Sequence, residues 1–505
     1  MITDMELKNK MDYIQRMCKD LSRDQHKVLN NIIRITKHAL PHQLIIYDPN
    51  NIIVCIIQVY FYYYDILLRT DLYNICILYK RRKRYRHAKE CYNNLLKIYI
   101  PTKSKETLKI ILDTICENKL WEFETFCFEL ICDLLKYGLN GSLMFHAIWD
   151  KIEGPNMNIE DSKRIMRILY ELLNVYEWPN THDTIIVIER ILNLFYISIT
   201  TTESTVNYIP YATLKKSLEV CIINMVKHIY NYHLLIIIHH MCSWVVETEM
   251  TDEFILQFGS TLEYIAFIHN VTLYEKTLTP KIFPLLMEMI ASTSKISSLL
   301  GNRVIQYLLD RKENKANFDT PKIFFEDANF DIKIERYYKE DKLFCKFHRE
   351  ILHDSFLKGI LNHCSSRMNL ESIYCTICLI AVEVPCGFTA AAVVCLLMNL
   401  QDITLKRQNK RHIEISYHIH ATVIAIMSLL CWIHKADVFY EYVNKIMLER
   451  AQWAPHLNPP IQSQYNFAAH HILWNKPDLF FVDWEARYGL WKCFRLRETD
   501  EENDD

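Results

Sequence analysis

The sequence predicts an all-α protein built from stacked helix pairs, and three observations predict it. Glycine is scarce, with 8 residues in 505, whereas ordinary proteins average about 7%. Tight hairpins favour Gly, and the one Asn-Gly pair, Asn140-Gly141, falls between two helical patterns. Helical periodicity recurs in pairs at about 40 residues, the repeat length of armadillo and HEAT solenoids. The expectation is therefore a continuous armadillo/HEAT-like solenoid over residues 1–460. A helical cap over 461–497 and an acidic, disordered tail over 498–505 should follow.

In chain order, residues 4–19 and 24–39 read as a first helix pair, stopped by Pro41. Helices at 51–69 and 71–79 follow. Aspartates at helix starts, such as Asp4, Asp24 and Asp71, satisfy otherwise open backbone amides. A run of cations then leads into a helix at 85–98, ended by Pro101. Further helices are expected at 104–117, 121–137, 141–152, 159–177, 181–199, 210–230, 232–248, 251–269 and 279–291. Breaks fall at Pro155, Pro179, residues 200–204 and Pro280. Helices at 295–312, 341–359, 368–383, 388–402, 412–435 and 437–451 complete the array before Asn458-Pro459-Pro460 breaks it. One longer connection, 317–342, carries the alternation Asp331-Ile332-Lys333-Ile334-Glu335-Arg336, which has the period of extended chain. Residues 465–494, with Trp474, Trp484 and Trp491, read as a cap over the last apolar face, which a solenoid needs.

Composition narrows the function. A 50% hydrophobic fraction supplies a continuous core, and a net charge of −2 argues against bulk nucleic-acid binding. The 17 cysteines lack framework spacing, which fits reduced thiols in the cytosol. Apolar runs at 52–64 and 421–433 stop at Asp65 and His434, short of the ~20 residues a membrane span needs. They read as buried helices.

The sharpest candidate site is the run Lys80, Arg81, Arg82, Lys83, Arg84 and Arg86, with Tyr85 among them. Clusters of 4–8 Lys/Arg suit anionic lipid surfaces. A solvated inter-helix loop and a nuclear-localisation signal are the plainer readings. Cys375 and Cys378 form a lone CxxC on an apolar helix, where thiols pack as small hydrophobes. His239-His240, and His412, His418, His420 and His434, carry no metal-binding grammar. No Gly-x-Ser-x-Gly elbow, P-loop or Rossmann fingerprint is present. No catalysis, cofactor or metal is expected.

Four short pieces carry a family resemblance. They are the helix end Leu309-Asp310-Arg311, the connection with Asp331, Lys333, Ile334 and Arg336, the Gln401-Asp402 pair, and Val443-x-Lys445-Ile446-x7-Ala454-Pro455-x3-Pro459. Lys119-Leu120-Trp121 with Phe123, Cys127 and Phe128 is a fainter echo, and the likeness does not reach before residue 100. In this order, best over 304–459, the pieces resemble the Rolling blackout proteins, called Eighty-five-requiring proteins in yeast. The resemblance implies a non-enzymatic scaffold of the type III alpha phosphatidylinositol 4-kinase complex. It would be held peripherally at the cytoplasmic face of the plasma membrane against an anionic surface. The implied partners are a tetratricopeptide-repeat subunit, a hyccin-type subunit and the lipid kinase. The residues also leave open a helical-repeat adaptor, in transport or regulation, with no lipid role.

Overall fold

The structure, a computed structural model, describes residues 3–17, 25–69, 75–154, 157–201, 211–248, 251–406, 413–462 and 476–501. Among these residues there is no strand, and the protein is all-α as expected. It divides into two compact units, residues 1–230 and 231–505.

The first unit runs through α1 (Asp4–Met17), α2 (Gln25–His38), α3 (Pro41–Ile45), α4 (Pro49–Leu68), α5 (Ile75–Glu117), α6 (Glu124–Lys136), α7 (Gly141–Ile152), α8 (Ile159–Val175), α9 (His182–Thr200) and α10 (Tyr211–Val226). The second runs through α11 (Asn231–Glu247), α12 (Asp252–Ile268), α13 (Tyr274–Thr277), α14 (Ile282–Ala291), α15 (Lys295–Leu309), α16 (Lys339–Phe347), α17 (Arg349–His363), α18 (Arg367–Glu383), α19 (Gly387–Lys406), α20 (Ile413–His434), α21 (Asp437–Trp453) and α22 (Asp483–Glu501).

Each unit stacks its helices in two layers. In the first, α6, α8 and α10 form one layer and α7 and α9 the other. In the second, α12, α15, α18 and α20 stack behind α11, α14, α17 and α19. The cause is an apolar stripe at helical spacing. On α8 it is Ile165, Met166, Ile168, Leu169, Leu172 and Leu173, all buried. Side-chain caps set the starts: Asn140 accepts from Ser142 N at 2.7 Å, Asn158 from Asp161 N at 2.7 Å, and Ser294 from Ser297 N at 3.0 Å. The Asn-Gly pair is thus a helix start. Gly141 is required there because a Cβ would run into the Tyr176 ring.

The repeat length appears directly in the ion pairs between neighbouring repeats. Lys89–Glu129, Arg190–Asp150 and Arg303–Glu263 each join residues 40 apart, Arg164–Glu122 residues 42 apart, and Arg167–Glu124 residues 43 apart. Partly exposed pairs contribute roughly 0.2–1 kcal/mol each, so they fix register more than stability.

Several expectations are corrected. The helices expected at 71–79 and 85–98 are one helix from Ile75; residues 71–74 lie outside the described ones. The break expected at Pro101 falls two residues later, at Lys103, where two helices meet across a kink. The chain bends at Lys103 (φ −132°, ψ 42°) and resumes, because Tyr99, Ile100, Leu108 and Ile111 on both sides are buried in one core. The 341–359 helix is two, α16 and α17, meeting at His348. By length and composition α4, α19 and residues 417–434 of α20 are long and apolar enough to cross a membrane: α4 runs past Asp65 to Leu68, and the α20 window ends at His434 as expected but begins earlier, at Tyr417. The α20 window is nevertheless 83% buried within the protein. Cys55 is disulfide-bonded, so the expectation of reduced thiols fails at that position.

The cap also packs differently. Ala486, Leu490 and Phe494 turn inward, with Phe494 against His434 (ring centroids 5.0 Å), while Trp484 and Trp491 are 70% and 52% exposed. Positions four and eight residues beyond Ala486 share its face; the tryptophans do not. Trp474 lies outside the described residues, as do His412 and 502–505. Helix α22 continues to Glu501, so the acidic end begins as helix.

Candidate functional site: a cationic helix stripe and a pocket built by the motifs

The cationic run lies in the early turns of α5 and is not a loop. Lys and Arg are good helix formers, and an inner face anchors them. The hydroxyls of Tyr60 and Tyr85 each donate to Glu129 Oε2 at 3.0 Å, and Lys89 Nζ reaches the same oxygen at 2.9 Å. Burial pushes the Glu129 carboxyl up, but Lys89 and the two hydroxyls outweigh it and hold the group below its usual range. With that face fixed, Tyr79, Arg82, Lys83 and Arg86 (i, i+3, i+4, i+7) form an exposed stripe. Lys80 and Arg84 are also exposed, with Arg84 against the Tyr63 phenol, and Arg81 is half-buried. Glu90, one turn beyond Arg86, ends the stripe. Tyr79 was missed in the sequence because the helix was expected to end there.

The second feature lies in the 231–505 unit, where two motif pieces meet. Leu309 is buried at the end of α15, and the Asp310 carboxylate accepts the amides of Lys312, Asn314 and Lys315 at 3.2, 2.9 and 2.7 Å, which turns the chain. The Arg311 guanidinium is held by Thr272 O and Asp341 Oδ2, both at 2.7 Å. It lies 4.2 Å from the Tyr274 ring centroid and 5.4 Å from that of Tyr338. Glu383 Oε2 stands 3.7 Å away. Burial pushes the Glu383 carboxyl up to about 7 against the opposing pull of Arg311.

The alternating segment forms no strand, yet it is fixed. Asn314 accepts from Lys333 N and donates to Lys333 O, both at 2.9 Å, and Asn317 donates to Asp331 O at 2.7 Å. Lys333, Ile334, Glu335 and Arg336 are presented outward, and Glu335 pairs with Lys312 at 2.7 Å. Arg311, Lys312, Lys333 and Arg336 thereby share a cavity of about 250 Å³ with Glu335 and Glu383. Asp341, Glu383, Tyr274 and Tyr338 were missed: each sits in an unremarkable stretch of helix or loop, and only folding brings them to Arg311.

The remaining motif residues serve packing elsewhere. Gln401 exchanges two hydrogen bonds with the Phe481 backbone, at 2.7 and 3.0 Å, whereas Asp402 is exposed. Ala454 is buried, Pro455 is exposed and Pro459 half-buried, and Arg450 just before them is buried. That guanidinium donates to the carbonyls of Leu479, Leu457 and His420 at 2.7, 3.0 and 3.1 Å, and burial pushes it down to about 9. Cys375 and Cys378 are buried with their thiols pushed up by burial. Among the described residues no group of His, Cys, Asp and Glu is placed to hold a metal.

Two-layered helix stacking at a 40-residue period defines the class as an armadillo-type helical-repeat protein. The family model described as "EFR3, armadillo repeat" matches residues 74–472, and the chain belongs to this family, the Eighty-five-requiring proteins of the resemblance. The match begins well before residue 100, further than the short motifs reach. Protein EFR3 homolog A of Xenopus laevis is 24% identical over 184 residues, covering 36% of this chain and 22% of that protein. The proteins of that name in Mus musculus and Homo sapiens are each 24% identical over 182 residues, with the same coverage. The aligned stretch thus spans 22% of the relatives' own length.

Proposed function

We propose that this protein is a non-enzymatic scaffold that helps position a phosphatidylinositol 4-kinase complex at the inner face of the plasma membrane for phosphatidylinositol 4-phosphate synthesis. Family membership supports the scaffold role, and the stripe Tyr79, Arg82, Lys83 and Arg86 on α5 is the observation that carries the membrane contact. Each Lys or Arg near an anionic leaflet contributes about 1 kcal/mol, so this contact alone is weak and reversible. The proposed partners are a tetratricopeptide-repeat subunit, a hyccin-type subunit and the kinase. Holding them on one chain raises the kinase's effective concentration at its substrate.

Co-sedimentation tests the membrane contact. The purified protein should pellet with phosphatidylserine vesicles at low salt and be released at 1 M salt, where screening shortens to ~3 Å. The triple variant Arg82→Gln, Lys83→Gln, Arg86→Gln should stay in the supernatant with an unchanged melting temperature. If it pellets like the parent, the stripe is not the membrane contact.

A second reading, a protein-binding adaptor with no lipid role, is favoured by one observation. Helices α17, α18 and α19 enclose a mostly apolar groove of about 410 Å³, lined by Phe356, Ile377, Ile380, Phe388, Val393 and Leu396. On that reading the protein ignores vesicles, and an apolar helix of a partner fills the groove.

A further inference from the structure

We propose that the cavity framed by Arg311, Lys312, Lys333 and Arg336 is a binding site for a phosphate monoester carried on a polyhydroxylated ring. The site lies in the 231–505 unit and is independent of the cationic stripe on α5.

The first argument is the allocation of charge. Arg311 is committed to Asp341 at 2.7 Å, and Lys312 to Glu335 at 2.7 Å. Lys333 and Arg336, exposed at the cavity, have no ion pair among the described residues. They are the two cations left for a ligand. An ammonium and a planar guanidinium lining one cavity suit a phosphate dianion, which accepts from both.

The second argument is preorganisation. Exposed lysines and arginines normally sit on mobile side chains and mobile loops. Here Asn314 holds both backbone groups of Lys333 at 2.9 Å, and Asn317 holds the carbonyl of Asp331 at 2.7 Å. Arg311 in turn is packed between Tyr274 and Tyr338. The backbone that carries the two uncommitted cations is therefore fixed before a ligand arrives, which lowers the ordering cost of binding.

The third argument is the cavity's lining, which sets the ligand class. A volume of about 250 Å³ is several times the ~30 Å³ of one liquid water, enough for a six-membered ring with its phosphate. The wall carries the Glu335 and Glu383 carboxylates. These repel a bare polyanion but accept from ring hydroxyls. A polyol bearing one phosphate satisfies both halves, with phosphate on Lys333 and Arg336 and hydroxyls on the two glutamates. A free sugar or inositol phosphate and a phosphoinositide headgroup share this chemistry.

Calorimetry on the full chain tests the site with myo-inositol 4-phosphate, inorganic phosphate and myo-inositol as probes. Phosphatidylcholine vesicles with and without phosphatidylinositol 4-phosphate form the membrane arm. The monophosphate should bind more tightly than inorganic phosphate or inositol alone. Lys333→Gln with Arg336→Gln should weaken binding about tenfold or more while leaving the melting temperature unchanged. Glu335→Gln, which removes a carboxylate that accepts from ring hydroxyls, should narrow the preference for myo-inositol 4-phosphate over inorganic phosphate. Binding of the free probe assigns a soluble ligand, and binding only in vesicles assigns the lipid headgroup. The α5 triple variant should keep binding of the free probe unchanged. The proposal is overturned if the parent binds neither form. It is equally overturned if the Lys333/Arg336 variant binds like the parent, or if Glu335→Gln leaves the preference over inorganic phosphate unchanged.

Discussion

At Glu383 two forces act in opposite directions, and their balance is measurable. Burial disfavours the carboxylate and Arg311 favours it; burial wins, lifting the group to about 7 from an ordinary value of about 4.3. The folded state therefore holds this proton more tightly than the unfolded chain does. Its contribution to stability is fully present below about pH 4.3, falls as pH rises, and is gone above about 7, at roughly 1.4 kcal/mol per unit between. Glu383→Gln mimics the protonated form and can still accept the Arg311 amide, which now donates to Glu383 Oε1 at 3.3 Å. The variant's melting temperature relative to the parent should rise between pH 5 and pH 7 and then level off. A difference that does not change with pH would refute the burial account. None of this was legible in the sequence: Arg311 stood out in a motif, but its acidic partners Asp341 and Glu383 lie 30 and 72 residues further on.

Among the elements, α20 shows how burial and hydrogen bonding work together. Residues 421–432 are buried almost without interruption, and Ser428 Oγ accepts from Phe324 N at 3.0 Å, tying the long connection to the helix. Trp432 Nε1 donates to Ala328 O at 3.1 Å and does the same. Ile426 is fully buried. Ile426→Asp places a charge there with no designed partner, a change that costs several kcal/mol, on the order of 3–5. The variant should melt well below the parent or fail to fold; an unchanged melting temperature would mean that α20 is not at the centre of this unit. The position of α20 followed from hydropathy alone. The fate of α5 did not. Its cations looked like a break because charge runs usually are, and only the Tyr60, Tyr85 and Glu129 cluster shows that its inner face is anchored.

For the whole molecule, each unit carries its own two-layered core, residues 1–230 and 231–505. Residues 231–505 expressed alone should therefore give a helical far-ultraviolet spectrum and a cooperative melt. A non-cooperative transition would show that the core is shared across the chain. The expected division, one solenoid to residue 460 and then a cap, treated helix rhythm as the only organiser. The two compact units, 1–230 and 231–505, are a grouping that rhythm does not reveal.

The sequence by itself determined the all-α class, the repeat length and most helix positions. These follow from local causes: scarce glycine, helical spacing of apolar residues, and capping side chains next to the amides they satisfy. Its short motifs also pointed to the family. The tertiary structure alone decided which charges are committed and which are left over. Whether Lys333 and Arg336 remain available while Arg311 and Lys312 do not depends on distances between repeats, set by packing and invisible to local pattern. The same holds for the outward face of α5 and for the tryptophans of α22, whose exposure depends on which neighbouring helix covers the other side.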